Sequence, residues 1–339
     1  MKVQRLSSLV AAVCAAAVLA GCGSSTESKA SEETPKAAGT QSFKIAVIPK
    51  GTTHEFWKAI HAGAKKAAGE LGVEVIWKGP VKEDDRESQI AVIEDFITRG
   101  VDGIVVAPLD SSALVAPIEE AIGKGIPVVI IDSGLNSDKY VSFVATDNYK
   151  GGNLGGEHLA KLLGGKGRVV LLRYQVGSAS TQEREKGFLD AMKENPGITV
   201  VSDNQYGGAT TETAQRAAEN LLAPLKKPDG TLSIDGIFCP NESTTVGMLR
   251  VLQDAGLAGK VKFVGFDSSP TLIAALEKGQ IHGLVLQNPF NMGYLGVKTM
   301  VSHLKKESVE KRIDTGATLA TPENRNNPEI RQLLEPPRE

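Results

Sequence analysis

The chain has 339 residues, with 38 basic and 40 acidic side chains, 41% hydrophobic and 23% charged. That length suggests about two domains of the usual ~100–200 residues, and the apolar share excludes disorder for most of the chain. A formal charge of -2, with no run of Lys or Arg longer than two, argues against a nucleic-acid partner.

In chain order, Lys2 and Arg5 come first, and an apolar stretch follows from Leu9 to Ala20. That stretch is shorter than the ~20 apolar residues a membrane span needs, so it reads as a signal segment over residues 1–21. It ends on Leu19-Ala20-Gly21-Cys22, which fits a bacterial lipoprotein processing site with Cys22 as the lipidated first residue of the mature chain. Such a protein is exported and lipid-anchored to the bacterial membrane, facing periplasm or cell exterior. Residues 22–42, after Cys22, are mostly Ser, Thr, Glu, Lys, Ala and Gly with one Pro, and show no apolar period, as expected of a flexible tether. With Cys14 removed and Cys22 lipidated, Cys239 is left alone, which rules out an intramolecular disulfide.

From Phe43 onward, short apolar runs alternate with helical patterns. The runs 44–48, 73–77, 103–107, 127–132 and 142–146 are followed by 168–173, 198–202, 236–239, 261–266 and 283–287. They are continuous rather than alternating in polarity, as in parallel strands buried on both faces. Between them, Phe56, Ile60, Ala64, Ala67 and Leu71 recur at helical spacing, as do Ile90, Ile93, Phe96 and Ile97. The pattern is α/β, and two segments repeat: Gly103-Ile104-Val105-Val106-Ala107-Pro108 echoes Gly236-Ile237-Phe238-Cys239-Pro240-Asn241, and 127–132 echoes 262–267, both ending on Asp. Two doubly wound parallel-sheet lobes fit this repetition better than one long sheet. Ligands of such sheets bind beyond the carboxyl ends of the strands, where Lys50, Asp132, Asn241, Asp267 and Gln287 stand.

Together these segments carry a family resemblance: the first strand followed by Phe56-Trp57, 103–110, 128–132, Thr146-Asp147-Asn148, 183–188, Pro240-Asn241, Val264-Gly265-Phe266-Asp267 and Leu286-Gln287. Over roughly residues 43 to 315 the chain resembles the ribose-type family of periplasmic sugar-binding proteins, the substrate-binding components of ABC importers. The resemblance implies discontinuous lobes joined by a three-crossing hinge near Thr146, Gln287 and Thr315. The N-terminal lobe would be 43–146 plus 288–314, and the C-terminal lobe 147–287 plus 315–339. It implies ligand contacts from Lys50, His54, Phe56, Trp57, Asp132, Ser133, Arg184, Asn241, Asp267 and Gln287. It also implies a non-enzymatic monomer without cofactor, catalytic residues or metal, handing a monosaccharide or polyol to an ABC permease and its ATPase.

The residue chemistry agrees with a sugar. Flat Phe56 and Trp57 faces suit ring C–H groups, each Asp accepts from two adjacent hydroxyls, and Asn241 and Gln287 both donate and accept. Plainer readings stay open: Phe56 and Trp57 as helix-face core, His54 as a solvated loop residue, the two Asp as turn caps, and Arg184 paired with Glu183 or Glu185. Ser133 stands where the ribose-type pattern has Arg, Ala107 where it has Asn, and Tyr206-Gly207-Gly208-Ala209 replaces an aromatic. Ile48-Pro49-Lys50 with Ile131-Asp132-Ser133 also resembles the autoinducer-2-binding branch, in which a Lys at position 50 touches ligand. That branch, or a binding protein coupled to a chemoreceptor or sensor, is the alternative. No P-loop and no Gly-x-Ser-x-Gly elbow occurs, and Gly151-Gly152-Asn153-Leu154-Gly155-Gly156 lacks the spacing of a dinucleotide fingerprint.

Overall fold

A computed structural model describes residues 42–338. The signal segment, Cys22 and all of the tether but Ser42 lie outside the described residues. The first half runs β1 (Lys44–Ile48), α1 (Glu55–Leu71), β2 (Glu74–Trp77), α2 (Arg86–Arg99), β3 (Gly103–Val106), α3 (Val115–Gly123), β4 (Val128–Ile131) and β5 (Ser142–Ala145). The second runs α4 (Asn148–Leu162), β6 (Lys166–Arg173), α5 (Ala179–Lys193), β7 (Gly197–Tyr206), α6 (Thr211–Leu222), β8 (Gly236–Phe238), α7 (Glu242–Asp254), β9 (Lys262–Phe266), α8 (Pro270–Glu277) and β10 (Gly283–Leu286). The chain closes with α9 (Pro289–Leu304), β11 (Arg312–Asp314), β12 (Thr318–Ala320) and α10 (Pro328–Leu334).

The strands form two six-stranded sheets, ordered β11-β5-β4-β3-β1-β2 and β12-β10-β9-β8-β6-β7. The first is wholly parallel; in the second only β12 runs antiparallel, against β10. Strands β3, β4 and β8 are fully buried because helices cover both faces, which is why their sequences show no alternation. The two strand orders correspond position by position. The repeated segments fall on β3 and β8, and on β4 and β9, so the echo in the sequence is a repeat of architecture.

The chain passes between the sheets three times: after β5, after β10, and between β11 and β12. Two of these passages are bonded to each other: Thr315 N–H donates to Ala145 O at 3.2 Å, Thr146 Oγ1 to Gly316 O at 3.1 Å, and Arg312 Nη2 to Thr146 O at 3.0 Å. Strands β11 and β12 are too short to stand out in the sequence. Strand β7 runs four residues past the expected 198–202, with register shifts against β6 around Val170.

Glycine sets the distance between two helix pairs, one in each lobe. A Cβ on Gly152 of α4 would stand 1.9 Å from Arg184 O in α5, and one on Gly187 would stand 2.1 Å from Tyr149 O. In the other lobe a Cβ on Gly63 of α1 would meet Phe290 O at 1.9 Å, and one on Gly293 of α9 would meet Ile60 O at 2.0 Å. The run 151–156 therefore serves helix packing, and it seats Arg184 beneath the second sheet's carboxyl edge.

Candidate functional site

The carboxyl edges of both sheets face a shared cavity. The first lobe lines it with Lys50, His54, Phe56, Trp57, Glu83 and Asp132. The second contributes Tyr174, Ser180, Thr181, Arg184, Asn241, Glu242, Asp267 and Gln287.

Asp132 and Asp267 follow β4 and β9, and both adopt left-handed backbone, with φ of 61° and 69°. Asp tolerates this region better than most residues. Each backbone N–H donates to the neighbouring strand, Asp132 to Val144 O at 3.1 Å and Asp267 to Val285 O at 2.8 Å. The two carboxylates are thus held at equivalent places in the two lobes. Asp132 pairs with Lys50 at 3.0 Å, and Lys50 also reaches across to Ser178 and Ser180 at 3.2 and 3.0 Å. Asp267 accepts from Glu242 N–H at 2.9 Å and from Gln287 Nε2 at 2.7 Å. Burial, with Asp132 adding repulsion, pushes the Asp267 carboxyl up, against the pull of Arg184.

Arg184 reaches the cavity from α5. Its Nε donates to Asn148 at 2.8 Å, its Nη1 to Pro240 O at 3.0 Å, and its guanidinium lies 4.1 Å over the Phe266 ring. Its Nη2, 4.0 Å from Asp132, is buried with no hydrogen-bond partner among the described residues, and so is Gln287 Oε1. One unspent donor and one unspent acceptor therefore lie in the same cavity. Of the two surface partners named for Arg184, Glu185 pairs instead with Arg173 at 2.7 Å.

Phe56 and Trp57 are buried and meet edge to face, with ring centroids 5.0 Å apart. Both belong to the apolar core, as the plainer reading had it, and both also line the cavity. Trp77 stacks on His61 at 4.4 Å and does not line the cavity. Asn241 caps α7, its Oδ1 accepting from Thr244 Oγ1 at 2.6 Å, and lines the cavity as well. Ser133 alone of the ten expected contacts does not line it: its Oγ accepts from Ser180 N–H at 3.1 Å, which spends the hydroxyl on a bond between the lobes. The structure adds Glu83, Tyr174, Ser180, Thr181 and Glu242. Tyr174 and Glu242 each adjoin a strand-end residue visible in the sequence, Arg173 and Asn241. Glu83 lies in a loop whose neighbours Asp84 and Asp85 are exposed, so no periodicity marks it.

Glu242 sits across the cleft from the N-terminus of α1, accepting from Phe56 N–H at 3.2 Å and Glu55 N–H at 3.3 Å. Burial, with Asp267 adding repulsion, pushes its carboxyl up to about 7 against the pull of His54. An acid raised in the folded state binds more protons there than when unfolded, so its stabilising contribution falls as pH rises from the ordinary carboxylate range through about 7. Melting temperature is expected to drop by a few degrees between pH 5 and pH 8, and Glu242→Gln should flatten that slope while keeping an acceptor for α1. Equal slopes in both proteins would show that Glu242 is not the titrating group.

The sequence profile of the periplasmic binding protein domain family matches residues 45–308. The chain is 32% identical over 309 residues to a D-ribose/D-allose-binding protein of Pseudomonas aeruginosa, covering 88% of this chain and 93% of that one. It is 32% identical over 274 residues to the D-allose-binding periplasmic protein of Escherichia coli, covering 78% and 86%. Among solved structures it is similar to a carbohydrate transporter solute-binding protein of Agrobacterium radiobacter in complex with D-arabinose. That match has 35% identity and a TM-score of 0.82, and covers 87% of this chain and all 100% of the other. An ABC transporter solute-binding protein of Agrobacterium vitis with bound D-fucose matches at 35% identity and a TM-score of 0.81, covering 86% and 100%.

Proposed function

We propose that this chain, which belongs to the periplasmic binding protein family, captures one neutral monosaccharide or related polyol between its lobes and delivers it to an ABC permease. The observation that carries this reading is the pair of unspent polar atoms, Arg184 Nη2 and Gln287 Oε1, in a cavity that also holds Asp132 and Asp267. A sugar hydroxyl donates and accepts at once, and these groups offer both halves of that exchange. The four relatives above support it: two are named for ribose or allose, and two were solved with arabinose or fucose bound. The protein acts without catalysis, as an exported monomer anchored through a lipid on Cys22. Its lobes are 43–146 plus 288–314 and 147–287 plus 315–339, and its passages near Thr146, Gln287 and Thr315 act as the hinge. A ligand closes such a hinge only by binding the closed form better than the open one, and contacts from both lobes supply that difference.

Trp57 reports closure. A bound sugar is expected to change its fluorescence and to compact the protein in solution scattering. Trp57→Phe should remove most of that change and weaken binding several-fold, while Trp77→Phe should keep both. Loss of the signal in the Trp77 variant alone would move the ligand away from α1. A bound sugar without compaction would refute closure. Autoinducer-2 in place of every sugar as the only effective ligand would assign the chain to the branch suggested by Lys50.

A further inference from the structure

We propose that Glu83 is the positioning residue of this cavity: one buried carboxylate that gathers His54 and Trp57 from the first lobe and Tyr174 from the second, fixing the charge of the imidazole and joining the walls as the lobes meet. The proposal rests on reading this cavity as the ligand site, and its test needs no ligand.

Glu83 lies in the loop between β2 and α2 and is 6% exposed. Its Oε1 accepts from Trp57 Nε1 at 2.7 Å and bonds His54 Nδ1, and its Oε2 accepts from Tyr174 Oη at 2.6 Å. Its backbone carbonyl accepts from Gln175 Nε2 of the second lobe at 2.9 Å. A carboxylate offers about four acceptor sites and no donor, so it can serve three side-chain donors at once. A glutamine there would offer one oxygen to the three donors and turn its own N–H groups against them.

The arrangement decides the state of each partner. With Nδ1 held by Glu83, the imidazole keeps only Nε2 for other contacts. Burial draws the His54 pKa down, but the charge and hydrogen bond of Glu83, with Glu242 and Asp267 behind it, raise it to about 9. Burial likewise works against ionised Glu83, yet His54 and then Lys50 bring its carboxyl to about 2, with the Tyr174 hydrogen bond adding to the effect. The Tyr174 phenol, pushed up by burial and by Glu83, Asp132 and Asp84, stays protonated and spends its proton on Glu83. At neutral pH His54 is therefore a fixed cationic donor, and the Tyr174 oxygen is left as an acceptor.

Nitrogen NMR of the ligand-free, histidine-labelled protein tests this, with His54 assigned by its loss in His54→Asn. The wild-type His54 is expected to stay protonated through pH 8. In Glu83→Gln its midpoint should fall to about 6.5 or below, the value of an unassisted imidazole. Tyr174→Phe keeps the Glu83 carboxylate on His54 and removes one of several bonds between the lobes, so it should move the His54 midpoint far less than Glu83→Gln does and should make the ligand-free protein more open in solution scattering. An unchanged midpoint in Glu83→Gln overturns the proposal. A wild-type midpoint near 6.5 does so too, even if the Gln variant fails to fold. Failure of the wild type to bind any sugar would sink the functional reading instead and leave this titration standing.

Discussion

Asp132→Asn is expected to cost the closed, sugar-bound protein about 3 kcal/mol, a loss in affinity of roughly a hundredfold. The carboxylate pairs with Lys50 at 3.0 Å in a site where the side chains of both are almost fully buried, 3% and 4% exposed. Removing its charge leaves Lys50 facing a neutral amide and the Ser178 and Ser180 hydroxyls, and leaves Arg184 Nη2 without the carboxylate 4.0 Å away. An uncompensated buried charge costs more than the lost attraction alone. Asn is the informative replacement because it tolerates the left-handed backbone at φ 61°. Alanine would add backbone strain to the loss of contact, so an Ala variant at 132 or 267 cannot leave folding untouched. Calorimetric titration of the Asn variant with the sugar bound best by the wild type gives the loss directly. An unchanged affinity would place the sugar away from the first lobe's carboxylate.

Gly152→Ala is expected to destabilise the fold by about 3 kcal/mol, or roughly 6–12 °C in melting temperature. The added Cβ would overlap Arg184 O at 1.9 Å, and backbone cannot step aside as a flexible side chain does. Helix α5 must move, carrying Arg184 off the Phe266 ring and out of register with the cavity, so binding should weaken as well. Gly69→Ala makes the comparison, since the same change in α1 meets nothing within 4 Å. It should stabilise by about 0.5–1 kcal/mol through helix propensity. Similar melting shifts in the two variants would remove the close helix contact as the reason for glycine at 152.

The ten expected strands were legible because parallel strands buried on both faces write unbroken apolar runs, and the two Asp because they end such runs at matching places. The short β11 and β12 were not, since three residues carry no period. Arg184 could be placed in the cavity only through family resemblance; its sequence neighbours Glu183 and Glu185 suggest a surface helix. Glu83 was hidden for a related reason. Whether an acid within Lys82-Glu83-Asp84-Asp85 is solvated or buried depends on Tyr174, which reaches it from the other lobe and 91 residues along the chain. Contacts between distant loops are what local pattern does not record. Gly151 to Gly156 shows the converse, a conspicuous motif whose role is steric.

The central claim is that a neutral monosaccharide binds between Asp132 and Asp267. Calorimetric titration of the wild-type protein with D-ribose, D-allose, D-arabinose and D-fucose, repeated with Asp132→Asn and Asp267→Asn, tests it most directly. The account predicts saturable one-to-one binding of at least one of these sugars by the wild type, weakened by each substitution. Binding of a sugar that both variants retain at full strength would contradict it.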